Sequence, residues 1–320
     1  MRLVRHLSDL PFEQLIRGSV VTIGAFDGVH HGHEQLLRRV LAESRTRGVP
    51  SVVMSFEPTP KEFFSAAAPP ARLMRFREKF DALAGHGIDI FYCPRFSESM
   101  RNISAGAFIR RILVHGLNAS HIVIGDDFRF ARKREGTLDE LLRTGETLDY
   151  SVEQVPSVVV DGIRVSSTAI RDALASGDLA KATALLGRPY RMSGRIVRGR
   201  QVGRALGYAT ANVDLRRRQS AVTGIYAVRV HGLPEGAIEG VASVGTRPTF
   251  DLTKPILEVH LFNFDQEIYG EYIHVDFIEH LRGEEKFASV DDLVAQMKID
   301  EENERSAPVS YTHLRAHETT

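Results

Sequence analysis

The chain has one cysteine, Cys93, in 320 residues, so no disulfide can close within it and no thiolate cluster can hold structural zinc. A reducing, cytoplasmic location is the expectation. Surplus charge is missing too: 41 basic residues balance 41 acidic ones, which argues against a protein that coats nucleic acid through a general basic field. No charged-then-apolar leader and no apolar run long enough to span a bilayer is read, so no membrane partner is expected. The Walker A pattern GxxxxGK[ST] is absent, which removes the P-loop as a way of holding a nucleotide. Acidic residues are also lacking over 188–213, where Arg188, Arg191, Arg195, Arg198, Arg200 and Arg204 accumulate. A polyphosphate site and a solvated basic face both fit that stretch.

What is present divides into two halves, as the length suggests. Up to residue 186 apolar strand runs at 20–23, 50–56, 88–93, 121–125 and 152–160 alternate with helical spacing at 32–41, 73–84 and 104–114. This order predicts parallel βαβ units. Two short helices close the half, the second capped by Asp178 and stopped at Gly187. Beyond it, strand candidates at 192–197, 224–230, 239–244, 256–264 and 273–278, separated by glycine turns, predict a small antiparallel barrel. Ser289 and Asp292 open a final amphipathic helix.

Residues 20–41, VVTIGAFDGVHHGHEQLLRRVL, place a buried strand, a glycine-interrupted turn and a helix around histidines. Gly28 and Gly32 remove side chains where backbone would pass close to a ligand. The helix start offers unpaired N–H groups and the positive end of a dipole, so it favours an anion. His30 and His33 could donate to a phosphoryl group as charge builds on it. A polar surface loop or a metal cluster remains the simpler alternative for three histidines so close together.

Other candidates follow from residue type. Asp126 and Asp127 sit in a loop after a strand, where open parallel sheets bind ligands. Ser166, Ser167 and Thr168 at a helix start can cap N–H groups or bind phosphate oxygens, with Arg171 on the next turn. Thr210 and Asn212, two apart in an extended segment, present two oxygens to one cation, and magnesium prefers such ligands together with phosphates. Glu258 faces away from Leu257, Val259 and Leu261, either into solvent or as a base.

GAFDGVHHGHEQLL resembles the signature of the HxGH nucleotidyltransferases, and FDGVHxGH that of the bacterial bifunctional riboflavin kinase and FAD synthetase family. GDDFRFARKREG, SSTAIR, GRALGYATAN, GTRPTF and LEVHL resemble further motifs of that family, in the expected order. Thr59, Ala131 and Ala209 depart from it, standing where histidine, glycine and proline are usual.

The resemblance implies a Rossmann-like HxGH nucleotidyltransferase domain with a parallel sheet over 1–186, an α/β fold. A small antiparallel β-barrel riboflavin kinase domain with a C-terminal helix follows over 187–306. It implies nucleotide contacts in the first domain at Gly24, Phe26, Asp27, Gly28, Gly32, Asp127, Ser166, Ser167, Thr168 and Arg171, with His30 and His33 catalytic. In the second it implies nucleotide or flavin contacts at Gly203, Arg204, Gly207, Thr210, Asn212, Arg247 and Arg305, Mg²⁺ on Thr210 and Asn212, and Glu258 as base. The expected partners are riboflavin, FMN and ATP, with FMN and FAD as products. Two alternatives stay open: a nucleotidyltransferase for another phosphorylated alcohol, and a non-catalytic flavin-binding regulator. Residues 307–320 are expected to be a disordered, non-native tail, because VSYTHLRAHET at 309–319 reads like a translated sequencing adapter.

Overall fold

A computed structural model describes residues 1–198, 210–248 and 253–283. The expected C-terminal helix, the tail, and Gly203, Arg204, Gly207, Ala209 and Arg305 lie outside the described residues. The chain divides into two compact units: Met1–Asp172 with Ala184–Arg188, and Ala173–Thr183 with the chain from Pro189 onward.

The first unit is built on six parallel strands in the order β1-β4-β3-β2-β5-β6. They are β1 (Arg2–Val4), β2 (Ser19–Ile23), β3 (Ser51–Met54), β4 (Ile90–Tyr92), β5 (Ala119–Gly125) and β6 (Ser151–Val155). Alternate residues of each central strand enter two separate cores. Val21, Ile23, Val52, Met54 and Ile90 pack on one face; Val20, Val53 and Phe91 pack on the other. Double burial is why these strands read as continuous β-branched runs.

The helices are α1 (Phe12–Leu15), α2 (His31–Arg47), α3 (Pro60–Phe64), α4 (Phe76–Gly85), α5 (Glu98–Arg101), α6 (Ala105–Phe108) and α7 (Leu138–Leu148). Beyond them come α8 (Ser167–Ala175) and α9 (Leu179–Leu186). Ser104 caps α6 as read, and the helix runs on through Ile109–Val114 with π winding. Asp178 accepts from Lys181 N at 3.0 Å, and Gly187, at φ 79°, follows the end of α9. The run expected as one strand over 152–160 is broken by Pro156: β6 ends at Val155, and β7 (Val159–Val160) pairs with β8 (Ile163–Arg164) as a separate hairpin.

β2 is followed by β3 and β4 to one side and by β5 and β6 to the other. The order therefore reverses at β2 and β5. Loops leaving the carboxyl ends of these two strands border the crevice in which open α/β sheets bind ligands.

The second unit is a closed antiparallel barrel, β10-β13-β12-β11-β14-β9. Its strands are β9 (Tyr190–Val197), β10 (Thr210–Asp214), β11 (Gly224–Leu233), β12 (Gly236–Pro248), β13 (Thr253–Leu261) and β14 (Tyr272–Arg282). Ala211, Val213, Leu257, Val259, Ala242 and Val244 are buried, and the residues alternating with them on these strands are less buried.

Candidate functional site

The turn from β2 into α2 carries the histidines. His30 is the N-cap of α2, a position that normally takes Ser, Thr, Asp or Asn, and its Nδ1 accepts the His33 backbone N–H at 3.3 Å. That bond also settles the tautomer: with Nδ1 accepting, the proton sits on Nε2. The His33 ring stacks on His30 at 3.7 Å between centroids, and Phe26, fully buried, lies 4.9 Å from His33 on the other side. His33 Nδ1 is buried and has no hydrogen-bond partner among the described residues.

Burial pushes the His30 pKa down to about 4, with Arg188 and His31 adding to the effect. His33 is driven well below its ordinary value by burial first, then by His30, Lys79 and Arg188. Both imidazoles are therefore neutral near pH 7, in positive surroundings at the start of a 17-residue helix. They can donate without carrying charge.

Asp27 is a strut. Its carboxylate accepts from Leu73 N at 3.2 Å, from Met74 N at 2.9 Å and from the Arg171 guanidinium. Arg171 also donates Nε to Ala71 O at 2.6 Å and Nη1 to Ser167 O at 3.0 Å, which leaves further guanidinium N–H groups for a ligand. Ser166 Oγ accepts from Ala169 N and so caps α8, while Ser167 Oγ donates to Asp27 O at 2.8 Å. Thr168 is exposed on the first turn. A Cβ at Gly32 would approach His30 Nδ1 to 3.4 Å and Val165 O to 4.0 Å, so α2 and α8 begin side by side. Gly24 has a similar constraint, its Cβ direction pointing at the Phe26 ring at 3.0 Å, and Gly28 needs its φ of 97°. The structure thus brings together Gly24, Phe26, Asp27, Gly28, His30, Gly32, His33, Ser166, Ser167, Thr168 and Arg171. Asp127 leaves the end of β5 and pairs with Arg164 at 3.0 Å.

An aromatic cluster that none of the motifs marks lies beyond the carboxyl ends of β3 and β4. Phe56 follows β3 and Phe96 follows β4; the two rings meet edge-on at 5.3 Å, and Phe63 and Phe64 stand 5.2 and 5.9 Å from Phe96. Phe64 is 60% exposed. The cluster's signal in the sequence is the pair of phenylalanines closing FEPTPKEFF. Thr59 in that segment caps α3 through a capping box with Glu62, so the residue that departs from the family pattern has a structural task here.

In the barrel, Asn212 stands directly opposite Glu258 across β10 and β13, and Ser243 of β12 flanks Glu258 on its other side. Thr210 faces His260 two residues along. These five share the less buried side of their strands, as the alternation predicted for Thr210, Asn212 and Glu258. Thr210 also lines a cavity of about 140 Å³ with Ile196, Val259, Leu261 and the loop carrying Phe264 to Tyr269. The Arg247 backbone pairs with Lys254 near the end of β12.

One more group has metal-like spacing: Glu43, His121 and Glu153. Arg39 donates to Glu153 at 2.7 Å and to Glu43 at 3.2 Å, and Arg47 donates to Glu43 at 3.2 Å, so guanidinium groups already neutralise both carboxylates. It is a charge network tying α2 to β5 and β6.

The FAD synthetase family profile matches residues 13–169, and the riboflavin kinase profile matches residues 186–307. The bifunctional riboflavin kinase/FMN adenylyltransferase of Escherichia coli K12 is 44% identical over 304 residues, covering 94% of this chain and 96% of that protein. The chain belongs to the bifunctional riboflavin kinase/FMN adenylyltransferase family. The family member of Haemophilus influenzae is 40% identical over 307 residues, with 96% and 99% covered. The solved structure described as a macrolide-efflux protein from Streptococcus pneumoniae has 33% identity and a TM-score of 0.80, covering 96% of this chain and 99% of that one. Among the described residues of this family member, no helix is long and apolar enough to cross a membrane.

Proposed function

We propose that this chain makes FAD from riboflavin by two successive transfers, each housed in one part of the chain. Residues 187–306 move the γ-phosphoryl of ATP to riboflavin, giving FMN and ADP. Residues 1–186 then join FMN to the AMP portion of a second ATP, giving FAD and diphosphate. The observation that carries this reading is the stacked His30–His33 pair at the start of α2, on the crevice between β2 and β5.

In adenylyl transfer the FMN phosphate attacks the α-phosphorus, and negative charge gathers on the oxygens around it. Neutral imidazoles at a helix N-terminus meet that charge with donors already in place. Thr168, the backbone N–H of Ser167 on the first turn of α8 and the spare N–H groups of Arg171 hold the departing phosphates. Gly24, Gly28 and Gly32 allow the backbone to come close, and Asp127 lies at the rim. The cluster of Phe56, Phe63, Phe64 and Phe96 offers a surface on which a planar ring can stack.

In phosphoryl transfer Glu258 accepts the proton of the ribityl 5′-hydroxyl as the oxygen attacks. Thr210 and Asn212 supply uncharged oxygen ligands on one face beside that carboxylate, a donor set that fits Mg²⁺. When bound, Mg²⁺ would offset charge on the ATP phosphates. Arg247, and Gly203, Gly207, Arg204 and Arg305 outside the described residues, complete the nucleotide and flavin contacts in this reading. A cytoplasmic location belongs to it too, consistent with the buried, unpaired thiol of Cys93.

Purified protein given riboflavin, ATP and Mg²⁺ should yield FAD on chromatography of the flavins. FMN alone would leave only the kinase; unchanged riboflavin would remove the kinase, and unchanged FMN in a second incubation with ATP and Mg²⁺ would remove the adenylyltransferase.

A further inference from the structure

The turn that carries the histidines is gripped on its carbonyl side by residues from far along the chain. Lys79 of α4 donates Nζ to Ala25 O at 2.6 Å. Arg188, which lies two residues past the 1–186 segment but belongs to the first compact unit, donates one Nη to Gly28 O at 2.5 Å and the other to Val29 O at 2.9 Å. Together with the Ser167 hydroxyl on Asp27 O, these bonds give the carbonyls of Ala25, Asp27, Gly28 and Val29 a donor from outside the turn. The backbone they hold is not relaxed: Phe26 and Val29 have φ of 48° and 41°, left-handed values that a β-branched residue avoids.

Lys79 is an expensive way to satisfy one carbonyl. It is 3% exposed, and burial lowers its pKa, so its charge is held at a cost. The Ser55 hydroxyl already reaches the same oxygen at 3.3 Å. What an ammonium adds that a hydroxyl does not is positive charge behind the turn.

We propose that Lys79 and Arg188 are positioning residues for adenylyl transfer, which hold the carbonyls of the turn away from the triphosphate and leave its N–H groups and paired imidazoles facing it. This rests on the assignment of His30 and His33 to that reaction. A carbonyl oxygen turned toward a phosphate would repel it, so fixing these oxygens elsewhere is a condition for anion binding at the corner. The same two cations oppose a proton on His33, which keeps it the neutral donor described above.

The test uses the full chain and three variants. Lys79→Met keeps an apolar side chain of similar length in a buried position; Arg188→Met removes both donors; Arg188→Lys keeps the charge without the fork that spans two carbonyls. FAD formation from supplied FMN and ATP, and FMN formation from riboflavin, are measured on each across pH. Both methionine variants should lose about 10²-fold in FAD formation, the cost of a small misplacement, while FMN formation is retained. The acid fall-off of FAD formation should also move to higher pH, because a nearby cation no longer opposes protonation. Arg188→Lys should restore the position of that fall-off but not the rate. Methionine variants within about twofold of the parent, or a loss equal in both activities with the fall-off unmoved, would overturn the proposal. An unchanged rate of FAD formation in His33→Ala would instead overturn the reading on which it rests.

Discussion

At Ala131 the backbone adopts φ 63° and ψ −171°, a region that is essentially glycine territory. The family pattern has glycine there, so this chain carries strain that its relatives' motif avoids. Ala131→Gly should stabilise the protein by about 1 kcal/mol, the relieved strain outweighing the added freedom of the unfolded chain. A urea titration reads it, and an unmoved midpoint would mean that the neighbours relax the strain in some other way. His30 makes a second prediction at this scale. In the unfolded chain it takes up a proton near pH 6.5, whereas burial holds this off to about pH 4 in the folded state. Between those values the unfolded state binds more protons, so stability rises with pH across the window and falls on acidification through it. His30→Asn keeps an N-cap acceptor for α2 and removes the titrating group. Its melting temperature should decline less between pH 6.5 and 4 than that of the parent, and an identical decline would assign the acid sensitivity elsewhere.

Among elements, the rung joining β10 and β13 carries the kinase chemistry in this reading, since it puts the Asn212 amide and the Glu258 carboxylate side by side. Glu258→Gln changes charge with little change of shape. It should abolish FMN formation and leave the adenylylation of supplied FMN intact; a fully active kinase would remove Glu258 from the role of base. The facing of the rung's residues is legible in the sequence because strand alternation alone puts Thr210 and Asn212 on one side of their strand and Glu258 opposite its apolar neighbours, whereas the pairing of β10 with β13 appears only in the fold. β2 was legible for the opposite reason, its burial on both faces leaving an unbroken β-branched run. β1 was not, because three residues carry no period and owe their strand to pairing with β4. Nor could the work of Asp27 be read: its partners lie 46, 47 and 144 positions away, and only the folded chain brings them to it. Lys79 and Arg188 escaped for the same reason. Local motifs disclose the groups that face a ligand, while the groups that hold them in place are distributed by topology.

Across the whole molecule, the open sheet and the closed barrel are separate hydrogen-bonded systems with no strand in common among the described residues. A substitution in one should therefore leave the backbone that frames the other site untouched, and the two activities should fail independently. His33→Ala should accumulate FMN and make almost no FAD, losing on the order of 10²- to 10³-fold as other enzymes do when one oxyanion donor is removed. Glu258→Gln should make no FMN at all. The two defects are complementary, since each variant retains the site the other lacks. Equal amounts of both, mixed with riboflavin, ATP and Mg²⁺, should then produce FAD after a lag in which FMN first builds up in solution. The lag should shorten as the share of Glu258→Gln protein is raised, because that variant consumes the FMN. If each variant is active in its own half-reaction but the mixture makes no FAD, FMN does not pass through solution between molecules, and independence of the two sites holds for folding but not for the flow of the intermediate.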